Sequence, residues 1–251
     1  MEPYALPAQI YAVGLVFLRV GAVVMLIPGI GEGFVPPRIR LAFALMLSLC
    51  LAPVAAPHLP QIPGTLGDMG GAVLKELIIG LMLGALLRLM LSALAVAGEV
   101  VSIQTTLAFA QTANPLQAQP GGALTAFLTL LGVTLIFAGD LHHLFLGAIV
   151  RSYTLFPPAG ALSVGDAASV ALRAVASSFA LGIQLAAPVI VFSLVFNIAS
   201  GLVGRVMPQF QIFFAATPLS LLFGLSIFTL ALGGAMMVWL QRYELFLRPF
   251  V

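Results

Sequence analysis

The chain has 251 residues, of which 61% are hydrophobic and only 7% charged, with a mean hydropathy of +1.16. Soluble globular domains carry about 25% charged residues, so this composition excludes one and points to an integral, polytopic membrane protein. A formal net charge of +2 with no basic cluster excludes nucleic acid as a partner.

The start, Met1-Glu2-Pro3, shows no basic region and no small-residue cleavage site, so insertion is expected to begin with the first apolar helix. That segment, residues 10–30, holds Arg19, with Pro28 near its end. A charge near the middle of an apolar helix is costly, so Arg19 is expected to face protein or water and not lipid. Residues 29–37 contain Gly29, Gly31, Gly33, Pro36 and Pro37, which forbid helix and mark a tight re-entry ending in Arg38 and Arg40. The second segment, 41–56, is stopped by Pro53 and Pro57. Its lone Cys50 can form no internal disulfide and reads as a small core residue. A proline-containing loop covers 58–71.

The third segment, 72–97, carries Lys75, Glu76 and Arg88, with Gly80 and Gly84 spaced to let another helix approach closely. The stretch 97–122 follows, with Gln104, Thr105, Thr106, Gln111, Thr112, Asn114, Gln117 and Gln119 closed by Pro115, Pro120 and Gly121-Gly122. No charge occurs between Glu99 and Asp140. A solvated loop would take Lys, Glu or Asp, and a spanning helix would not tolerate so many amides in hydrocarbon. The composition suits a loop buried in protein or lining a wet cavity at membrane depth; the plainer alternative is an ordinary neutral connection between two helices.

The fourth segment begins at Ala123, meets Asp140-Leu141-His142-His143, and resumes through residues 144–150. Without a His-x-x-x-His or Glu-x-x-His spacing, that interruption reads as a polar break packed in a helix bundle and not as a metal site. After Arg151-Ser152-Tyr153 and Pro157-Pro158 comes a hairpin of two long apolar helices, about 171–203 and 212–240, broken by Pro188 and Pro218. Ser193, Asn197, Gly201 and Arg205 recur every four residues and form one polar, small-residue stripe, read as a docking face for another helix. The fold class expected is an all-α membrane protein of about six long, proline-broken apolar helices. Nothing matches a nucleophile elbow, a zinc-protease helix or a phosphate-binding loop, so neither an enzyme nor a cofactor is expected.

Three blocks carry a family resemblance. The first is Arg19-Val20-Gly21 through Gly31, with Val35-Pro36-Pro37-Arg38-Ile39-Arg40-Leu41 and Leu51-Ala52-Pro53. The second is Ala97-Gly98-Glu99, Gln104, Leu107-Ala108-Phe109-Ala110 and Asn114-Pro115. The third and most specific is Ala187-Pro188-Val189, Asn197, Gly201-Leu202, Arg205, Pro208-Gln209 and Ile212-Phe213. Together they resemble the FliR family of the type III export gate over nearly the whole chain. The resemblance implies a subunit that joins FliP- and FliQ-type proteins in the bacterial inner membrane to form and close a channel for unfolded flagellar proteins. FlhB-type and FlhA-type export proteins would be further partners. It also implies a FliP-like part over residues 1–165 and a FliQ-like hairpin over 166–251.

Residues 104–122 would then be the channel plug, with Gln104, Gln111, Asn114, Pro115 and Gln117 in it and Phe109 in an apolar gasket. An uncharged loop and an apolar ring fit that role, since such a ring blocks ions by dewetting. Arg19, Glu76, Gly80, Gly84, Arg88, Glu99, Asn197, Gly201, Arg205 and Pro208 would pack against other subunits, and the partners of Arg19, Lys75, Glu76 and Arg88 would lie on neighbours. Thr106 stands where the family usually has Gly, Ala108 where Ser is common, Asn114 where Asp is usual, and Ala216-Thr217-Pro218 replaces Gly-Phe-Pro. The rival reading is a small-solute transporter or channel, which would also use broken helices and midplane polar residues. Against it, no charged relay and no inverted repeat is visible. The positive-inside bias of Arg38, Arg40 and Arg205 places their loops in the cytoplasm and, with an even number of passes, both termini in the periplasm.

Overall fold

The computed structural model describes residues 5–60, 62–108, 122–158, 160, 164–207 and 212–250. The described residues contain no strand and seven α-helices: α1 Ala5–Val24, α2 Pro37–Ala55, α3 Leu66–Gln104, α4 Gly122–Ala138, α5 His142–Leu155, α6 Val164–Val206 and α7 Ile212–Leu247. Five helices are long and apolar enough to cross a membrane, and α4 with α5 raises the number to six if that bent pair is one span. The all-α membrane class and the count of about six apolar helices hold.

Local chemistry sets several boundaries. Pro36 is extended (φ −57°, ψ 138°) and Pro37 opens α2, where a missing N–H costs nothing. Gly29 takes φ 88° in the turn before it, and a Cβ on Gly31 would lie 2.6 Å from the Met25 carbonyl oxygen, so bulkier residues do not fit the re-entry. Thr65 and Asp68 cap α3: the Asp68 N–H donates to Thr65 Oγ1 at 3.1 Å, and that hydroxyl donates to the Asp68 carboxylate at 2.7 Å. Asp166 in the first turn of α6 and Arg205 in its last complement the helix dipole.

The helices outrun the apolar segments. At 43 and 36 residues, α6 and α7 pass straight through Pro188 and Pro218. At 1.5 Å per residue they are about 65 and about 54 Å long, against roughly 30 Å of hydrocarbon. An apolar helix can absorb one lost N–H where neighbouring helices and local adjustment re-satisfy the freed groups, so proline marks these helices without ending them. Cys50, expected in a core, is instead exposed on α2.

The chain divides into two compact units, one of Met1–Leu89, Phe137–Val175 and Glu244–Val251, the other of Met90–Ile136 and Ala176–Tyr243. In the first, Val16, Val20, Val23, Ile79, Phe145 and Ile149 are buried. A Cβ on Gly80 would sit 2.5 Å from the Arg19 carbonyl oxygen and one on Gly84 2.8 Å from Leu26 Cβ, so α3 lies directly on α1. In the second, fully buried Trp239 donates its indole N–H to the Met90 carbonyl at 3.1 Å and packs 5.2 Å from the Tyr243 ring.

Candidate functional site

The second unit holds the approach to the uncharged stretch. α3 ends at Gln104, whose Oε1 accepts a hydrogen bond from Ser193 Oγ of α6 at 2.7 Å; Asn197 Nδ2 in turn donates to Ser193 Oγ at 3.3 Å. Thr105, fully buried, returns its hydroxyl to the Val101 carbonyl at 2.8 Å. Thr106 then takes φ 62°. That region is costly for an L-residue and rare for a β-branched one. Gln104, Thr106, Ser193 and Asn197 border a groove of about 350 Å³ that Gly201 and Ser220 also line, with no charged side chain among the described residues that line it. Gly201 is exposed, and a Cβ there would meet nothing within 4 Å among the described residues. The polar stripe on α6 thus docks on α3 at Ser193 and lies open at Gly201. Arg205 is exposed beyond it.

The first unit holds the buried charges. Arg19, fully buried, donates Nε to Glu76 Oε2 at 2.6 Å and Nη2 to Oε1 at 2.9 Å. Its Nη1 reaches the Ser152 carbonyl at 2.9 Å and hydroxyl at 3.1 Å, and Nη2 reaches the Phe156 carbonyl at 3.0 Å. Five contacts use the five N–H donors of a guanidinium. The Tyr153 ring lies 4.2 Å from the guanidinium carbon. Lys75 donates to the carbonyls of Pro157, Pro158 and Gly160. Arg88, 47% exposed, is 3.8 Å from Glu32.

Arg19 does face protein, as its position in an apolar helix requires. The expectation that Arg19, Lys75, Glu76 and Arg88 find partners on neighbouring subunits is corrected: all four have partners within the chain. Gly80 and Gly84, buried against α1, likewise serve packing inside the chain. Glu99 is exposed. Phe109, Gln111, Asn114, Pro115, Gln117 and Pro208 lie outside the described residues. Ser152, Tyr153 and the Phe156 carbonyl escaped the sequence reading, although a buried arginine needs five acceptors and one glutamate supplies only part of them.

The sequence profile of the family "Bacterial export proteins, family 1" matches residues 10–246. The chain belongs to that family. It is similar to the flagellar biosynthetic protein FliR of Caulobacter vibrioides, 56% identical over 244 residues and 97% of each chain. FliR of Aquifex aeolicus is 29% identical over 238 residues, 94% of this chain and 91% of that protein. FliR of Escherichia coli is 28% identical over 210 residues, 84% of this chain and 80% of that protein. Membership in the bacterial export family, with five or six apolar spans, makes this a multi-pass membrane component of a flagellar export apparatus. In this export protein the departure at position 106 acquires a physical meaning. At the position where the resemblance leads to an expectation of glycine, Thr106 adopts a backbone conformation that glycine accommodates without strain.

Proposed function

We propose that this export-family protein helps form and close the channel through which unfolded flagellar proteins leave the cytoplasm, together with FliP- and FliQ-type membrane proteins in the inner membrane. FlhB- and FlhA-type proteins complete the assembly. Residues 1–165 act as a FliP-like part, residues 166–251 as a FliQ-like hairpin, and residues 104–122 as the plug.

The observation that carries the reading is the end of α3: an uncharged amide and hydroxyl contact, Gln104 to Ser193, followed by left-handed Thr106 leading into a stretch without any charge. Such a junction holds a loop in place without ionic anchors, so an arriving substrate displaces it at small cost. Supporting it, α6 and α7 expose Leu194, Ile198, Leu202, Leu222 and Leu230, an apolar surface that needs lipid or partner helices.

Deleting residues 112–119 is expected to leave assembly intact and make cells carrying the complex leak small ions, with Phe109→Ala weaker in the same direction. An assembled deletion complex no leakier than wild type would reduce the stretch to a plain connection. For orientation, a reporter fused after Val251 is expected to be active only if it works in the periplasm; activity confined to the cytoplasm reverses the topology.

A further inference from the structure

The turn between α4 and α5 brings together three side chains with metal-ligating atoms, Asp140, His142 and His143. Asp140 takes φ 56°, a conformation tolerated by aspartate better than by most L-residues. Its backbone is held on both sides: the Asp140 N–H donates to the Phe137 carbonyl at 3.3 Å, and the His143 N–H donates to the Asp140 carbonyl at 3.1 Å. With the main chain turned this way, one donor atom each from Asp140, His142 and His143 lies within 4.8 Å of the others. The one-dimensional spacing, Asp-x-His-His, gives no sign of that convergence, because on a regular helix adjacent histidines diverge by about 100°.

We propose that Asp140, His142 and His143 form a binding site for a divalent transition-metal ion of the zinc class. His143 Nδ1 lies 3.2 Å from the Asp140 carbonyl oxygen; an N–H there donates to it and leaves the lone pair on Nε2. Metal-ligating histidines are commonly oriented in this way by their second ring nitrogen. His142 Nδ1 is buried with no hydrogen-bond partner among the described residues, and its ring lies 5.3 Å from the Phe137 ring and 4.2 Å from the His143 ring. A bound cation would satisfy that nitrogen.

Two imidazoles and one carboxylate select zinc, cobalt or nickel over magnesium and calcium, which prefer all-oxygen shells. A tetrahedral ion 2.0–2.1 Å from each donor needs donors about 3.3 Å apart. Side-chain rotation closes the difference, since Asp140 and His143 are exposed. Three protein ligands leave a fourth position for water.

The chain has three histidines, so His58 is a complete internal control. The full-length protein is purified in detergent with the membrane proteins it assembles with, stripped with a chelator, and titrated with Zn²⁺ by calorimetry and with Co²⁺ by visible absorbance. One ion per chain is expected, with tetrahedral cobalt bands. His58→Ala should bind as wild type. Asp140→Asn, which keeps a residue tolerant of positive φ, and the double variant His142→Gln with His143→Gln should each weaken binding at least tenfold while eluting as the same complex. Asp140→Glu, tested alongside as a folding control, should retain part of the cobalt signal. Absence of saturable binding, a loss smaller than tenfold in both site variants, or an equal loss in His58→Ala overturns the site.

Discussion

The two compact units handle polarity in opposite ways. In one, a full charge is buried and every N–H of Arg19 is used by Glu76, Ser152 and Phe156. In the other, neutral amides and hydroxyls meet in a groove that stays open, and the chain leaves it through a strained Thr106. A buried ion pair is costly to break from one side, whereas a neutral hydrogen bond contributes only about 0.5–1.5 kcal/mol net. The contrast teaches where this protein can move: the ionic cluster locks three helices of one unit, and the neutral junction holds its loop weakly.

The largest expected effect tests the locked side. Glu76→Ala strands the Arg19 charge and is expected to cost about 3–5 kcal/mol, whereas Arg19→Met combined with Glu76→Leu should recover most of the loss, because a hydrophobic replacement of similar volume needs no counter-charge. Protease resistance of the membrane-embedded protein reads both; equal damage in the single and double variants would mean that the pair does not lock the unit.

Next come two glycines with opposite surroundings. Gly80→Ala drives a Cβ into the Arg19 backbone and should cost about 1–3 kcal/mol in the isolated chain. Gly201→Ala meets nothing within 4 Å among the described residues and should change the chain's own stability by less than about 0.5 kcal/mol. The bulkier Gly201→Leu should leave the chain folded and reduce recovery of the complex, since helix association in an apolar medium relies on small residues. Normal recovery with Gly201→Leu would leave the open part of the stripe without a docking role.

The smallest effect sharpens the flexible side. Thr106→Gly should relieve about 1 kcal/mol of backbone strain, because glycine takes positive φ without a Cβ clash. Hydrogen exchange at residues 105–108 is the measurement: slower exchange in Thr106→Gly is expected, and faster exchange would mean that the side chain, not the backbone, holds this turn.

Much of the fold was legible because it follows from periodicity and solvation. Apolar runs long enough to span, turns marked by Gly29, Gly31, Pro36 and Pro37, and the burial of Arg19 all follow from local chemistry. Boundaries at proline were less legible: Pro188 and Pro218 lie inside continuous helices, since a long apolar helix tolerates one missing N–H when its neighbours supply compensation. Cys50 misled for a related reason, because in a membrane protein an apolar residue need not be in the core.

By itself the sequence determined the class, the approximate number of spans, the family and the uncharged character of residues 100–139, all of which are properties of composition and order along the chain. Only the tertiary structure decided which groups meet. It paired Arg19 with Glu76, 57 positions away, and added acceptors from 133 and 137 positions away. It joined Gln104 to Ser193, and it turned Asp140 toward two histidines through a single left-handed residue. Partner choice depends on distance in space, which helix packing sets. Backbone handedness at one residue depends on the contacts that hold it there, and no local spacing carries either.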